Sequence, residues 1–166
     1  GRPGARPHPH SRKPPMSEGT TTNTYDELPY SGGAYAYSHP DRLAVVARLF
    51  GMTPAPLAGC RVLELGCATG ANLIAMAAAM PDATFVGLDN SARQVADGRA
   101  RIAELGLANI ELREADIATA GASLPVFDYI IAHGVFSWIP PLVQEALLAL
   151  IGAHLSAQGV AFVSYN

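Results

Sequence analysis

The residues best suited to chemistry lie in segment 61–70, where a short apolar run carries Glu64 and then turns through Gly66 and Gly70. Glycine lets the backbone approach a ligand closely because it has no Cβ atom. A helix is predicted to begin near Ala71, and the free amides of its first turn are hydrogen-bond donors. This order of strand, glycine turn and helix predicts a nucleotide-like cofactor at the carboxyl end of a parallel strand.

The spacing of small residues bears on which cofactor binds. A dinucleotide fingerprint requires glycine at the first, third and sixth positions of the turn. Gly66 holds the first position, but Ala68 and Ala71 hold the other two, so the match is partial. An NAD-type dinucleotide-binding oxidoreductase is therefore the alternative enzyme, and a tight turn without a ligand is the simplest alternative.

The pattern Glu-x-Gly-x-x-x-Gly resembles the first motif of class I methyltransferases, which bind S-adenosyl-L-methionine. The fuller family pattern has glycine where this chain has Ala68. The resemblance implies that Glu64 and the turn residues Gly66, Cys67, Ala68 and Gly70 bind the cofactor. We expect Cys67 to serve there as a small residue and not as a nucleophile.

A second acidic position follows the next apolar run, 83–88, which ends in Asp89 and Asn90. A carboxylate at the end of the second strand can accept hydrogen bonds from both ribose hydroxyls of a nucleotide. The alternative is that Asp89 helps to start the next helix, a role that Ser91 also fits, with Gln94 completing a capping box. We expect Asp89 and Asn90 to bind the cofactor.

A third position follows the predicted strand 109–113 and comprises Ala115, Asp116 and Ile117. In the family that the chain resembles, an acidic residue here meets the adenine amino group and an apolar residue flanks it. The resemblance therefore adds these three residues to the cofactor site. A solvated loop carboxylate is the alternative for Asp116.

Segment 127–141, together with 25–30, 39–43 and 163–166, resembles one bacterial branch of the family. Members of this branch carry a methyltransferase regulatory domain downstream, and bacterial protein lysine methyltransferases are similar to them. The resemblance covers roughly residues 25–166. It implies a methyl acceptor, which a protein lysine amine would satisfy, but its motifs do not fix that acceptor.

His133 ends the fourth predicted strand, beside the expected methyl group, and is the candidate catalytic residue. We expect it to line the cofactor pocket or to accept a proton; a hydrogen-bonded turn histidine is the alternative. Phe136 and Trp138 are candidates for walls of an acceptor channel, with core packing as the alternative. Four tyrosines of the preceding arm are candidates to close the cofactor pocket, with simple packing or disorder as the alternative: Tyr25, Tyr30, Tyr35 and Tyr37.

The elements that must position these residues alternate between strand and helix, which indicates an α/β fold with a parallel sheet. We predict a Rossmann-like sheet of order 3-2-1-4-5 with helices on both faces. Strands are predicted at 61–65, 83–88, 109–113, 127–132 and 160–165, and helices at 40–50, 71–80, 91–105 and 141–154. In helix 40–50, Ser38 and Asp41 suit the start, and the predicted apolar stripe comprises Leu43, Val46, Ala47 and Phe50.

Three domain segments are predicted along the chain. Residues 1–15 are expected to be a disordered leader or a cloning remnant, 16–38 an irregular arm, and 39–166 a methyltransferase core that lacks the family's strands 6 and 7. We therefore expect an N-terminal fragment, whose last strand is an exposed edge prone to self-association. A noncatalytic cofactor-binding or interaction module is the alternative to an enzyme.

Composition limits the remaining classes of protein. The 166 residues suffice for one domain with a hydrophobic core. Four of the eleven Lys and Arg residues lie in residues 1–15. Residues 16–166 therefore contain seven basic and fourteen acidic residues, which gives them a formal charge of −7. This charge disfavours nucleic-acid binding. No apolar stretch is long enough for membrane insertion. The two cysteines, Cys60 and Cys67, lack metal-ligand spacing, so we expect no metal and a reduced, cytoplasmic compartment.

Overall fold

The structure is a computed structural model that describes residues 33–165. Its five strands form one sheet of order β3-β2-β1-β4-β5, and every neighbouring pair is parallel, which confirms the predicted fold. The strands are β1 Arg61–Leu65, β2 Thr84–Asp89, β3 Ile110–Glu114, β4 Phe127–Ala132 and β5 Leu155–Val163. The helices are α1 Pro40–Leu49, α2 Ala71–Ala79, α3 Ala92–Leu105 and α4 Pro141–His154.

Helices cover both faces of the sheet because its central strands are apolar on both sides. In β1, Val62 joins the core under α1, α2 and α3, while Leu63 joins the core under α4. The strand β4 lies between β1 and β5, and its run 129–132 is fully buried. The edge strand β3 alternates between buried and exposed side chains, as its sequence predicts.

The start and the buried stripe of α1 differ from the prediction. His39 is the N-cap, since its Nδ1 accepts a hydrogen bond from the Asp41 amide at 3.3 Å. The helix buries Leu43, Ala44 and Ala47. The prediction for Val46 and Phe50 was wrong: these side chains are 49% and 84% exposed. Because the buried Ala44 and Ala47 side chains are small, this face of the helix can lie close to the sheet, and the larger Val46 and Phe50 side chains face outward.

The strand β5 begins at Leu155, five residues before the predicted start, and ends before Tyr165. Its pairing with β4 shifts register, because Phe127 pairs with Leu155 while Tyr129 pairs with Val160. The shift depends on Gly159, where a Cβ atom would lie 2.6 Å from Leu155 Cγ. In the sheet described, β5 is an edge strand, as predicted.

The predictions for 1–15, 16–32, Tyr25 and Tyr30 lie outside the described residues. Within residues 33–165, none of the helices has the length and apolar character needed to cross a bilayer.

Candidate active site

The turn between β1 and α2 adopts an unusual backbone. Gly66 and Gly70 have φ values of 71° and 70°, and Ala68 has a φ of 52°, in the left-handed region that residues with a Cβ atom rarely adopt. A Cβ atom on Gly66 would collide with the Val135 side chain, so the turn after β4 packs directly against this glycine. The amides of Gly66 and Cys67 donate to the Leu88 carbonyl at 2.8 and 3.0 Å, which anchors the turn to the end of β2.

Asp89 ends β2 and holds two loops together. Its Oδ2 accepts a hydrogen bond from the Ala68 amide at 2.8 Å, and its Oδ1 accepts one from the Ser91 amide at 2.9 Å. Ser91 is nevertheless the N-cap of α3, because its Oγ accepts from the Gln94 amide at 3.3 Å. A carboxylate offers about four acceptor positions, so Asp89 can accept further hydrogen bonds from a ligand.

The loop after β3 lies beside Asp89, because the Ala115 amide donates to the Asp89 carbonyl at 2.8 Å. Ala115 and Ile117 are half-buried and pack on the core under α4. The Asp116 side chain is exposed, and its Oδ1 accepts from the Ala118 amide at 2.9 Å. Asn90 is exposed at the same edge. The structure thus brings together the three strand ends that the sequence singled out.

Glu64 is buried, with 4% of its surface exposed. Its Oε1 accepts a hydrogen bond from Asn72 Nδ2 at 2.8 Å, whereas its Oε2 is buried and has no hydrogen-bond partner among the described residues. Burial raises the pKa of Glu64 from 4.5 to about 7; the Asn72 hydrogen bond lowers it, and the charge of Asp89 adds to the increase. A buried carboxylate oxygen without a partner fits a ligand that brings a cation or a donor.

Cys67 is buried in the same turn, and its thiol lies 3.7 Å from the Ala68 carbonyl oxygen. Burial, followed by the charges of Glu64 and Asp89, raises the pKa of this thiol far above its ordinary value. Because the thiolate is the reactive form of cysteine, the environment of Cys67 favours the predicted role of a small residue.

His133 follows β4 and lies in a group of aromatic rings. Its Nε2 is 2.8 Å from the Tyr37 hydroxyl oxygen, and the ring centroid of Tyr35 is 4.1 Å away. Phe162 on β5 stacks at 6.4 Å. Burial lowers the pKa of His133 below its ordinary value, so its imidazole is neutral near pH 7. The arm tyrosines Tyr35 and Tyr37 therefore lie at this histidine.

Phe136 and Trp138 lie farther along the turn after β4. The Phe136 ring is 6.3 Å from that of Tyr165, and Phe136 packs on the core under α4. Trp138 is 69% exposed, so the core-packing alternative is wrong for this residue. Neither ring takes part in the aromatic contacts of His133.

Asn72, which the sequence analysis missed, connects the two parts of the site. It is 5% exposed and hydrogen-bonds both Glu64 and the arm at Tyr35 and Ser38. The sequence does contain an indication of this role, because Asn72 is the only polar residue in α2. Buried polar groups almost always have hydrogen-bond partners, so a lone polar residue in an apolar helix indicates a specific contact.

The chain is similar to known proteins in sequence and in overall fold. A methyltransferase domain family matches residues 56–159. The uncharacterized protein RP789 of Rickettsia prowazekii is 42% identical over 87% of this chain, which covers 26% of that protein. A tRNA (guanine-N(7)-)-methyltransferase of Chloroflexus aggregans is 39% identical over 66% of this chain and 46% of its own length.

Among solved structures, PKMT2 from Rickettsia typhi in complex with AdoHcy superposes with a TM-score of 0.80 and is 36% identical. The similarity covers 83% of this chain and 26% of PKMT2. The chain thus spans about a quarter of RP789 and of PKMT2, and less than half of the tRNA methyltransferase. With the family match and the five-stranded parallel sheet, the chain belongs to the class I S-adenosyl-L-methionine-dependent methyltransferases.

Proposed function

We propose that this chain is the catalytic core of an enzyme that methylates the side-chain amine nitrogen of a lysine in a protein. The observation that carries the acceptor proposal is the neutral His133 in contact with the rings of Tyr35 and Tyr37. Val135, two residues after His133, packs on Gly66, so the candidate acceptor side adjoins the candidate cofactor side.

The residues of the cofactor side fit S-adenosyl-L-methionine. The unpartnered Oε2 of Glu64 suits a cationic amino group, and the remaining acceptor positions of Asp89 suit ribose hydroxyls. Segment 115–117 would flank the adenine. When bound, this cofactor supplies a methyl group that its sulfonium already activates. The protein then has to align the acceptor and exclude water.

A lysine acceptor must first lose its proton, because its ordinary pKa is about 10.4. The rings of Tyr35, Tyr37 and Phe162 would attract the ammonium form, since aromatic faces bind cations within about 6 Å. Desolvation in the site would lower the amine pKa and so oppose the attraction of the ring faces for the ammonium form, and removal of the proton then needs an acceptor. His133 is neutral near pH 7 and would accept the proton, with the Tyr37 hydroxyl orienting its ring.

Similarity supports this acceptor over others. PKMT2 is 36% identical to this chain, and segment 127–141 resembles the bacterial branch to which protein lysine methyltransferases are similar. The tRNA methyltransferase among the relatives shows that family membership alone does not fix the acceptor. We therefore base the choice of a lysine acceptor on the aromatic surroundings of His133, which suit an amine.

The first experiment is calorimetric titration with S-adenosylmethionine, S-adenosylhomocysteine and NAD. We expect heat with the first two; heat with NAD alone would overturn the proposal. The second experiment incubates the chain with methyl-tritiated cofactor and bacterial proteins and then identifies the labelled amino acid. We expect methyl-lysine. Label in nucleic acid or small molecules would reject the lysine acceptor, and cofactor binding without any label would favour a noncatalytic module.

A pair of tyrosine variants tests the acceptor side. Tyr37→Phe keeps the ring but removes the hydroxyl that contacts His133, and we expect turnover to fall about tenfold or more, because a disoriented proton acceptor loses much of its effect. Tyr165→Phe is the matched control, since Tyr165 is 79% exposed. Equal turnover in both variants would remove Tyr37 from the mechanism.

A further inference from the structure

One buried amide links the arm to the cofactor turn. Asn72 lies at the second position of α2, and its Oδ1 accepts a hydrogen bond from the Tyr35 amide at 2.9 Å. Its Nδ2 donates to Glu64 Oε1 at 2.8 Å and to Ser38 Oγ at 3.2 Å. Ser38 is fully buried and donates in turn to the Tyr35 carbonyl at 3.0 Å.

The orientation of this amide is determined by its partners. A backbone N–H can only donate, so Oδ1 must face Tyr35. This leaves Nδ2, which can only donate, to face Glu64 Oε1. Turning the amide over would lose both hydrogen bonds. Asn72 therefore joins the Glu64 carboxyl group to the backbone of the arm by two direct hydrogen bonds.

We propose that Asn72 is a positioning residue that couples the cofactor side to the acceptor side, so that cofactor binding at Glu64 tightens the arm that places Tyr35 and Tyr37 around His133. The inference rests on the proposed function, because it takes Glu64 as a cofactor ligand. Its structural part, the dependence of the arm on Asn72, stands apart from that assumption.

The physical basis is the strength of the Asn72–Glu64 hydrogen bond. An ionised carboxylate accepts a stronger hydrogen bond than a protonated one. The groups that face Glu64 are the neutral amide of Asn72, the Asp89 carboxylate and the buried thiol of Cys67. A cation at the free Oε2 would keep Glu64 ionised and so fix Asn72 and Tyr35. Coupling between binding sites is reciprocal, so an ordered arm would also tighten cofactor binding.

Hydrogen–deuterium exchange of the peptide that covers residues 33–39 tests the coupling, with and without S-adenosylhomocysteine. In the unsubstituted chain we expect the ligand to slow exchange at the Tyr35 amide. Asn72→Ala removes all three contacts, and we expect about tenfold faster exchange there, the effect of losing one buried hydrogen bond.

Asn109→Ala is the matched control. Asn109 Nδ2 donates to the carbonyls of Ala77, Met80 and Ala83, each at 3.1 Å, at the opposite end of α2. This variant loses a similar amide network, but we expect its arm exchange to equal that of the unsubstituted chain. Equal acceleration in the Asn109 and Asn72 variants would mean general loosening and would overturn the proposal.

The pH dependence of S-adenosylhomocysteine affinity gives a readout that a purely structural role would not move. Losing the Asn72 donor destabilises the ionised form of Glu64, so we expect the binding midpoint to move to higher pH in Asn72→Ala and not in Asn109→Ala. An unmoved midpoint would overturn the coupling. If the unsubstituted chain binds no S-adenosylhomocysteine, the proposed function fails; unchanged arm exchange in ligand-free Asn72→Ala overturns this inference separately.

Discussion

Replacing Glu64 by glutamine should stabilise the ligand-free protein at alkaline pH. Glu64 is almost fully buried, and its pKa in the folded chain is about 7 instead of 4.5. Between these two values the unfolded chain ionises Glu64 while the folded chain keeps it protonated. The folded state binds more protons in this range, so its stability falls as pH rises from about 4.5 to about 7.

The size of the effect follows from the two pKa values. A difference of one in pKa corresponds to about 1.4 kcal/mol, so the glutamate loses about 2–3 kcal/mol of stability between pH 5 and pH 8. Glutamine is neutral throughout and has no such loss. Its buried amide group, placed where Oε2 now lacks a partner, costs about 1 kcal/mol at every pH. Glu64→Gln should therefore be slightly less stable at pH 5 and about 1–2 kcal/mol more stable at pH 8.

Urea unfolding followed by circular dichroism at pH 5 and pH 8 measures this difference. Glu111→Gln is an informative control, because the Glu111 carboxylate is exposed and pairs with Arg113 at 2.7 Å, which lowers its pKa. Its removal should destabilise the chain slightly at pH 8, the opposite sign. A stability difference for Glu64→Gln that is the same at both pH values would refute the assignment of a raised pKa to Glu64.

Four further predictions concern the turn, the cofactor side, the acceptor side and the sheet edge. Ala68→Gly should raise the urea midpoint, corresponding to a gain of about 0.5–1 kcal/mol, because it relieves the left-handed backbone at φ 52° although it loosens the unfolded chain; an unchanged or lower midpoint would contradict the strain. Asp89→Ala should weaken S-adenosylhomocysteine binding by about 1–3 kcal/mol in calorimetry, and unchanged affinity would remove Asp89 from the site. With saturating cofactor, protonation of His133 should contribute a fall in methyl transfer at a pH below the ordinary histidine value, because burial lowers the His133 pKa; a rate that does not fall through that acid range would argue against His133 as proton acceptor. The exposed edge of β5 should cause self-association in light scattering over a concentration series, and a monomer at all concentrations would mean that the edge is covered.

The sequence by itself predicted the strands and the positions of Glu64, Asp89 and Asp116 near their carboxyl ends, because these depend on local patterns, whereas the sheet order was expected from the resemblance to class I methyltransferases. Apolar runs determine strands, and the residues after a run come to its carboxyl end whatever the packing around them. Parallel strands then bring their carboxyl ends to one edge of the sheet. The Ser91 cap of α3 was equally readable, since a cap involves residues three apart in the chain.

The tertiary structure alone decided how these groups interact. The contacts of Asn72 with Tyr35 and Glu64 join residues 37 and 8 positions apart, and the Tyr37–His133 contact spans 96 positions, so no local pattern encodes them. The raised pKa of Glu64 likewise follows from its burial, not from its place in a motif. For α1, the predicted apolar stripe included Val46, but packing against the sheet buries Ala44 and leaves Val46 half exposed. Chemistry-bearing residue types are local in the sequence, whereas their protonation, orientation and partners depend on segments that only folding brings together.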